Sequence, residues 1–338
     1  MIWSIVNECD IFYDVQNSVS SPVKARSSNP YDYIRCGFCL IKRRCSEVKI
    51  LSIITAIFQA IGQVLTYLFP LSESGHSAIF HDFAGRYTNG CSELTGLIHI
   101  GMAIGIAVAF YKVFAKLILE FITTGKEIFT KSFDIKKTNN SRKFFYYTFI
   151  PYIFMLVYII PVGGGNNVFK LLHSYSYDGN LISEGIAFLI NAVLLLFASL
   201  KLAKNEKGEQ LSAPAVLVTS VLAFFAIPVS GLSFCAVVVC MLAIFGINKK
   251  IAFRYFISLS VPVLLVRGII EIAVCVTYIN IIGGIIGVVV AGVLAFFVSK
   301  FSLYVLKNNW YKYFSYYAFT VGGLGIIIGI IEVAINNR

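Results

Sequence analysis

The sequence predicts an all-α integral membrane protein built as a polytopic helical bundle, and three observations lead to that fold class. Of the 338 residues, 58% are hydrophobic and only 13% are charged, whereas about a quarter of a soluble domain is charged. The mean hydropathy is +0.79. Apolar runs also recur along the chain, and a full crossing of the bilayer needs about 20 such residues. Together these observations exclude a soluble globular class.

The charge of the chain is basic, and its distribution indicates membrane topology. The formal net charge is +11, from 28 Lys and Arg against 17 Asp and Glu. The basic residues lie in short loops between apolar runs, as on the cytoplasmic side of membrane proteins. We therefore expect membrane lipids as partners. We expect no nucleic acid, because no basic stripe interleaved with aromatic residues is present.

The first 47 residues differ from the rest of the chain. They are polar and mixed, without an apolar stretch that could act as a signal peptide. We predict that residues 1–47 form an N-terminal cytoplasmic extension, which could touch anionic lipid. The alternative is an upstream start codon that was wrongly assigned. Residues 48–338 then form the polytopic membrane domain.

Apolar runs that could cross or enter the bilayer begin after this segment, and basic loops separate them. The runs are 48–70, 94–121, 144–162, 183–203, 214–246, 255–279, 281–299 and 314–335. The positive-inside rule places the chain in the cytoplasm both at Lys49 and at Lys126. Residues 71–93 must therefore form an outer turn or the tip of a re-entrant segment.

The run 214–246 also has to leave the cytoplasm and return to it. Its break at Pro228–Ser233 leaves two arms, 214–227 and 234–246, which are too short to cross at about 1.5 Å per residue. Two short half-helices joined by a Pro, Gly and Ser elbow indicate a re-entrant hairpin, which is tolerated where it lines a cavity.

The break in the first run resembles the break in this later one. Phe69–Gly75 reads FPLSESG, and Ile227–Ser233 reads IPVSGLS. Matching interruptions predict an inverted repeat with a binding site at its interface. We expect its halves to be about 48–182 and 183–338. The two elbows should face each other across a pocket at the membrane midplane.

The first elbow carries a compact polar cluster that could do chemistry. His76 could act as a nucleophile or a general acid or base, and Glu73 as a base or a metal ligand. Gly75 permits tight turning. Backbone N–H groups beside Ser72 and Ser74 could bind an anion. The alternative is a solvated loop whose serines only cap helices.

Other polar residues lie in or near the later apolar runs. Ser230 and Ser233 supply hydroxyls without a charge at the second elbow. Arg267 and Glu271 are four residues apart, so we predict a buried ion pair that lines the bundle. His99 lies in an apolar helix, where we expect a histidine with satisfied hydrogen bonds rather than a ligand.

These elbows resemble the signatures of the undecaprenyl-diphosphate phosphatase, or bacitracin-resistance, family. Phe69–His76 resembles the end of E-x-x-x-E-F-L-P-(I/V)-S-S-(T/S)-G-H. Pro228–Phe234 lies where that family carries P-G-(T/S)-S-R-S-G. Arg254–Pro262 is similar to R-F-S-F-L-L-S-I-P, and residues 296–328 look like its closing two helices. The resemblance covers about residues 48–335.

This resemblance implies a multi-pass enzyme of the bacterial plasma membrane. It would remove the terminal phosphate of the polyprenyl (C55) diphosphate lipid on the outer face, which regenerates the carrier for peptidoglycan synthesis and confers bacitracin resistance. It implies dependence on Mg²⁺ or Ca²⁺, and a homodimer is a further hypothesis. In this reading His76 and Glu73 are catalytic, and Glu73 holds the metal. The residues that would bind the phosphate are Ser72, Ser74, Gly75, Ser230 and Ser233.

The departures from the family's signatures favour one alternative, and a second has no positive sign in the sequence. The two glutamates correspond to Gln63 and Tyr67, and the arginine of the second signature to Leu232. Glu73 and Gly231 each replace a serine. Phosphoryl transfer depends largely on positioning and on neutralising phosphate charge, so these losses remove much of the expected apparatus. A non-hydrolytic protein that binds or transports polyprenyl phosphate is the first alternative. A structural or regulatory partner of cell-wall enzymes is the second.

Overall fold

The computed structural model describes residues 53–83, 93–132, 139–163, 166–168, 171–172, 181–204, 208–274 and 281–336. The helices of this part are α1 Ile53–Leu68, α2 Glu73–Phe83, α3 Glu93–Ala109, α4 Tyr111–Phe129, α5 Asn140–Met155, α6 Ile182–Lys204, α7 Ala213–Ala226, α8 Phe234–Ile244, α9 Lys249–Val274, α10 Ile281–Lys307 and α11 Tyr311–Asn336. A 3₁₀ turn, Leu156–Ile159, follows α5, and a short antiparallel pair joins β1 Pro161–Gly163 to β2 Asn166–Asn167. The predicted all-α class is confirmed. The predicted extension 1–47 lies outside the described residues.

Among the described residues, four helices are long and apolar enough to cross a membrane, namely α6, α9, α10 and α11. The chain therefore has the polytopic character that hydropathy predicts. In the same part of the chain, α3 and α4 would make a fifth span if they counted as one, and these two helices meet at an angle of 89°. The run 94–121 is therefore divided at Phe110. The charges of Lys112 and Lys116 on α4 favour this departure, because charged groups are costly in hydrocarbon.

Two short helices flank the second elbow, as the sequence predicts. α7 has 14 residues and α8 has 11, so neither reaches the length of a full crossing. Nine of the eleven α8 residues are buried, which places this helix in the core of the bundle. The re-entrant path of the pair and the inverted repeat remain predictions.

Glycines let several helices approach to backbone contact. A Cβ added at Gly105 would lie 2.1 Å from the carbonyl oxygen of Gly292, and one added at Gly96 would lie 2.7 Å from that of Gly268. Such contacts between small residues are typical of packing within membranes. The second contact joins α3 to α9. It positions the site, because His99 and Glu271 each lie three residues beyond their glycine.

Candidate functional site

The two elbows are in direct contact. Ser72 Oγ donates a hydrogen bond of 3.1 Å to the carbonyl oxygen of Leu232. A Cβ added at Gly75 would lie 2.7 Å from the Cα of Gly231. The sequence expectation that the elbows face each other therefore agrees with these contacts. Their depth in a membrane remains a prediction.

A serine caps the helix that follows each elbow. Ser72 Oγ accepts from the N–H of Gly75 at 3.2 Å, and Ser233 Oγ accepts from the N–H of Ala236 at 3.2 Å. Asn191 of α6 supports the second elbow, because its Oδ1 accepts from the N–H of Ser233 at 3.1 Å. Helix capping, the alternative to phosphate binding at the first elbow, is thus present at Ser72, and Ser233 caps its helix in the same way. It also points the positive ends of α2 and α8 towards the contact between the elbows.

The tight turn of the first elbow falls at Ser72 rather than at Gly75. Ser72 has a φ of 69°, in the left-handed region that costs a non-glycine residue on the order of 1–3 kcal/mol. Gly75 lies inside α2 and is needed for space, since a Cβ there would also lie 2.7 Å from the ring of Phe188. The role expected for Gly75 is therefore corrected from turning to close packing.

A small cavity of about 20 Å³ opens beside the elbows. Its lining residues are Thr66, Tyr67, Glu73, Ser74, Ala226, Ile227, Leu232, Ser233, Phe234, Val263 and Arg267. The structure thus brings Glu73, Ser74 and Ser233 together on one surface. Neither Ser230 nor His76 lines it. Ser230 is buried, and its hydroxyl has no hydrogen-bond partner among the described residues.

Four ionisable side chains form a cluster at the edge of this cavity. His99 Nε2 lies 3.1 Å from Glu73 Oε1, and His99 Nδ1 lies 2.7 Å from Glu271 Oε2. Arg267 lies 3.3 Å from Glu73 Oε2 and 3.3 Å from Glu271 Oε1. Helices α3 and α9 and the first elbow are thereby joined around one ring of charges, which we call the Glu73–His99–Glu271–Arg267 cluster.

Hydrogen-bond chemistry fixes the total charge of this cluster. Each imidazole nitrogen of His99 faces a carboxylate oxygen, and a carboxylate accepts but does not donate. Both contacts therefore need a proton, whether His99 carries two or a carboxyl group carries one. If His99 carries both protons, His99 and Arg267 are two positive charges that balance two carboxylates. If a carboxyl group carries one of the protons, Arg267 alone balances the one remaining carboxylate. The cluster is electrically neutral, which lets it be buried.

The sequence analysis predicted only part of this cluster. The ion pair between Arg267 and Glu271 is present at 3.3 Å. His99 is fully buried with both nitrogens bonded, as expected, but its partners are two acids. The sequence did not reveal that Glu73 and His99 meet. The available signal was an ionisable residue within an apolar run, which favours a functional role in membrane proteins.

His76 lies on the other side of the elbow, against α6 and α11. Its Nδ1 lies 2.8 Å from the carbonyl oxygen of Ser72, and its Nε2 lies 2.6 Å from the hydroxyl of Tyr317. A carbonyl only accepts, so Nδ1 carries the hydrogen and Nε2 has the lone pair of the neutral ring. Burial lowers the pKa of His76, which favours that neutral form. Tyr317 is a site residue that the sequence analysis missed.

The residues near Glu73 do not fit a divalent cation as they are arranged. Both Glu73 oxygens already contact cationic groups, one on His99 and one on Arg267. Gln63 stands where the family's signature has a glutamate, and its buried Oε1 has no hydrogen-bond partner in the described part of the chain. Within that part, no group of three His, Cys, Asp or Glu residues could hold a metal ion.

Comparison with known proteins gives one family and several relatives. The model of the family described as bacitracin resistance protein BacA matches residues 56–324. A protein named undecaprenyl-diphosphatase from Alkaliphilus metalliredigens is 28% identical over 282 residues, covering 82% of this chain and 98% of that protein. Another of that name, from Halothermothrix orenii, is 27% identical over 290 residues, with coverage of 82% and 98%. A third, from Methanosphaera stadtmanae, is 25% identical over 288 residues, with coverage of 83% and 99%.

Proposed function

Because this chain belongs to the bacitracin resistance protein BacA family, we propose that it is an undecaprenyl-diphosphate phosphatase that hydrolyses the C55 diphosphate carrier to the monophosphate. Relatives named undecaprenyl-diphosphatase match this chain over nearly their whole length. The observation that carries the proposal is the contact between the elbows. It gathers Ser74, Ser233 and two helix N-termini beside one cavity, and these groups suit a phosphate.

In this proposal the elbows bind the phosphate groups. Ser74 and Ser233 line the cavity. Their hydroxyls would bind phosphate oxygens, and backbone N–H groups at the starts of α2 and α8 would add further donors. Ser72 and Gly75 hold the two elbows together. The buried hydroxyl of Ser230 lacks a partner among the described residues, so it could reach a bound phosphate oxygen after a small movement of its elbow.

His76 supplies the chemistry in this proposal. Its Nε2 lone pair can attack the terminal phosphorus, which expels the lipid monophosphate and leaves a phosphohistidine that water then hydrolyses to free phosphate. Alternatively, Nε2 can take a proton from the water that attacks this phosphorus as the lipid monophosphate leaves. His76 lies across the first elbow from the cavity, and its Nε2 accepts from Tyr317, so the reaction requires the imidazole to leave the tyrosine hydroxyl and turn towards the phosphate. Glu73 is the second catalytic residue of the proposal, as a base that is held by His99 and Arg267.

We place the reaction on the outer face of the bacterial plasma membrane. The positive-inside rule puts the basic loops in the cytoplasm, which directs the first elbow outward. Hydrolysis there would return the carrier to cell-wall synthesis and would oppose bacitracin. A requirement for Mg²⁺ or Ca²⁺ remains a prediction, to be measured with a chelator in the assay below.

The test is phosphate release from undecaprenyl diphosphate by purified protein in detergent, with Mg²⁺, with Ca²⁺ and with a chelator. His76→Ala should lose activity by about 10²-fold or more, since positioned proton transfer alone contributes about that much. Elution as a monodisperse species would show that the variant is folded. Full activity of His76→Ala would refute its assignment. No release by well-folded wild-type protein would refute the hydrolase.

Two observations favour a second function, a non-hydrolytic protein that binds or transports polyprenyl phosphate. Gln63, Tyr67 and Leu232 stand where the family's signatures carry charged groups, and Glu73 is fully engaged with cations. This function predicts saturable binding of undecaprenyl phosphate without release of phosphate from the diphosphate. Absence of saturable binding would count against it.

A further inference from the structure

The second elbow lacks the cation that a phosphate-binding site needs. The family's signature has an arginine where this chain has Leu232, and the neighbouring elbow residues carry no positive charge. Arginine suits this task because its planar fork binds phosphate through two parallel hydrogen bonds. The sequence offers no substitute near Leu232.

The structure places an arginine from another helix in the same cavity. Arg267 of α9 and Leu232 both line it, together with Glu73, Ser74 and Ser233. Thirty-five positions separate Arg267 from Leu232 in the chain, and the contact between α3 and α9 at Gly96 and Gly268 fixes the height of Arg267 in the bundle. Arg267 therefore supplies positive charge at the lining where the expected arginine is absent.

Exposure and contact lengths show that Arg267 is the accessible member of the Glu73–His99–Glu271–Arg267 cluster. Its side chain is 26% exposed, against 6% for Glu73 and 0% for His99. Both of its contacts with carboxylates are 3.3 Å long, whereas charge-assisted hydrogen bonds are usually about 2.7–2.9 Å. Long contacts at the open end of the cluster can be exchanged for a better acceptor.

We propose that Arg267 is the phosphate-binding cation of this site, in place of the arginine missing at Leu232, and that an arriving lipid phosphate takes its guanidinium from Glu73. The inference rests on the proposed function for the identity of the anion. Glu73 keeps His99 through Oε1 when it releases Arg267, so the carboxylate stays in place. Its freed Oε2 then faces the cavity beside the bound phosphate.

A purely structural ion pair is the competing explanation, and lysine separates the two. Arg267→Lys keeps the positive charge that balances the cluster, but it loses the planar fork. If Arg267 only balances Glu73 and Glu271, the lysine variant should bind and turn over substrate as the wild type does. If Arg267 grips phosphate, the lysine variant should remain folded and bind undecaprenyl phosphate at least about tenfold more weakly.

The experiment measures equilibrium binding of undecaprenyl phosphate and phosphate release from undecaprenyl diphosphate, with thermal unfolding in detergent as the test of folding. Arg267→Met should lower kcat/KM by about 10³-fold, the order seen for arginines aimed at a transferring phosphate. The double variant Leu232→Arg/Arg267→Met should recover part of the loss, because it returns the cation to the cavity. Arg254→Met is the matched control, since Arg254 is exposed on the same helix.

Two results would overturn the inference. One is unchanged binding and turnover in Arg267→Lys and Arg267→Met. The other is a double variant with wild-type stability that neither binds nor hydrolyses. The two readouts also separate this inference from the proposed function. Binding that depends on Arg267 without any hydrolysis upholds the inference and refutes the hydrolase. Hydrolysis that does not change when Arg267 is replaced upholds the hydrolase and refutes the inference.

Discussion

At the scale of single residues, His76 is oriented by a partner far away in the chain. Tyr317 donates to Nε2 while the carbonyl of Ser72 accepts from Nδ1, and the tyrosine ring stacks on the imidazole with centroids 5.7 Å apart. The Phe188 ring packs nearly perpendicular to the imidazole, with centroids 5.3 Å apart. His76 is therefore held in one tautomer and one orientation before substrate arrives.

Removing the Tyr317 hydroxyl tests that arrangement. Tyr317→Phe keeps the stacking but loses the hydrogen bond, which contributes about 0.5–1.5 kcal/mol. We expect kcat to fall by about threefold to tenfold with little change in KM. Tyr316→Phe, at an exposed neighbouring position, is the control and should leave kcat unchanged. A Tyr317→Phe enzyme with wild-type kcat would show that the hydroxyl does not orient His76.

The dependence of activity on pH should also reflect the neutral form of His76. Reaction through Nε2 needs the neutral ring, and burial sets the pKa of His76 below the usual histidine value. Activity should therefore persist at mildly acidic pH and fall only as the pH drops through that lowered pKa.

The sequence identifies some site residues but not their partners. Ser72, Glu73 and His76 stand out because polar and ionisable groups interrupt an apolar run. Tyr317 does not, because it looks like an ordinary member of a hydrophobic helix, and His99 stands out only as a buried histidine whose partners are not evident. Their roles arise when α11 and α3 pack against the first elbow, over sequence separations of 241 and 26 residues.

At the scale of elements, one glycine contact sets the distance between α3 and α9. Gly96 and Gly268 bring the two backbones together, and His99 and Glu271 lie three residues further along their helices. Their 2.7 Å contact follows from that approach. The position of the cluster therefore depends on two residues that have no side chain.

A single methyl group added at this glycine contact should disturb the position of the cluster. Gly268→Ala places a Cβ 2.7 Å from the carbonyl oxygen of Gly96, so the helices must separate. Overpacking of this kind costs about 1–3 kcal/mol, and we expect a lower melting temperature and reduced turnover. Gly323→Ala is the control. It meets nothing within 4 Å, so it should leave stability unchanged or raise it by up to about 1 kcal/mol through better helix propensity.

The elements themselves were largely predictable. The arms 214–227 and 234–246 correspond to α7 and α8, at Ala213–Ala226 and Phe234–Ile244, because Pro and Gly mark the elbow between them. The right-angle turn at Phe110 was not predictable from the sequence. No Pro or Gly marks the break, and hydropathy indicates burial but not the direction in which a helix runs.

At the scale of the whole molecule, orientation in the membrane is the main untested prediction. α11 is a candidate span whose two ends should lie on opposite sides. The positive-inside rule puts Lys307, just before it, in the cytoplasm. Ile335, at its far end, is 66% exposed and should face outward.

Cysteine labelling of intact cells can decide this orientation. In a background without accessible native cysteines, Ile335→Cys should react with an impermeant maleimide, and Lys307→Cys should react only after the membrane is permeabilised. The two sites bracket one helix, so each is the control for the other. The reversed pattern would contradict the orientation and, with it, hydrolysis on the outer face.

The neutral Glu73–His99–Glu271–Arg267 cluster also limits the order in which this sequence can change over generations. Breaking a buried pair by removing one partner costs about 3–5 kcal/mol, a large share of the stability of an ordinary domain. A return from Glu73 to the serine of the family's signature would leave Arg267 and His99 each without one acid. The four residues are therefore expected to be inherited together. Ancestors that held only some of them should be less stable than either end of the path.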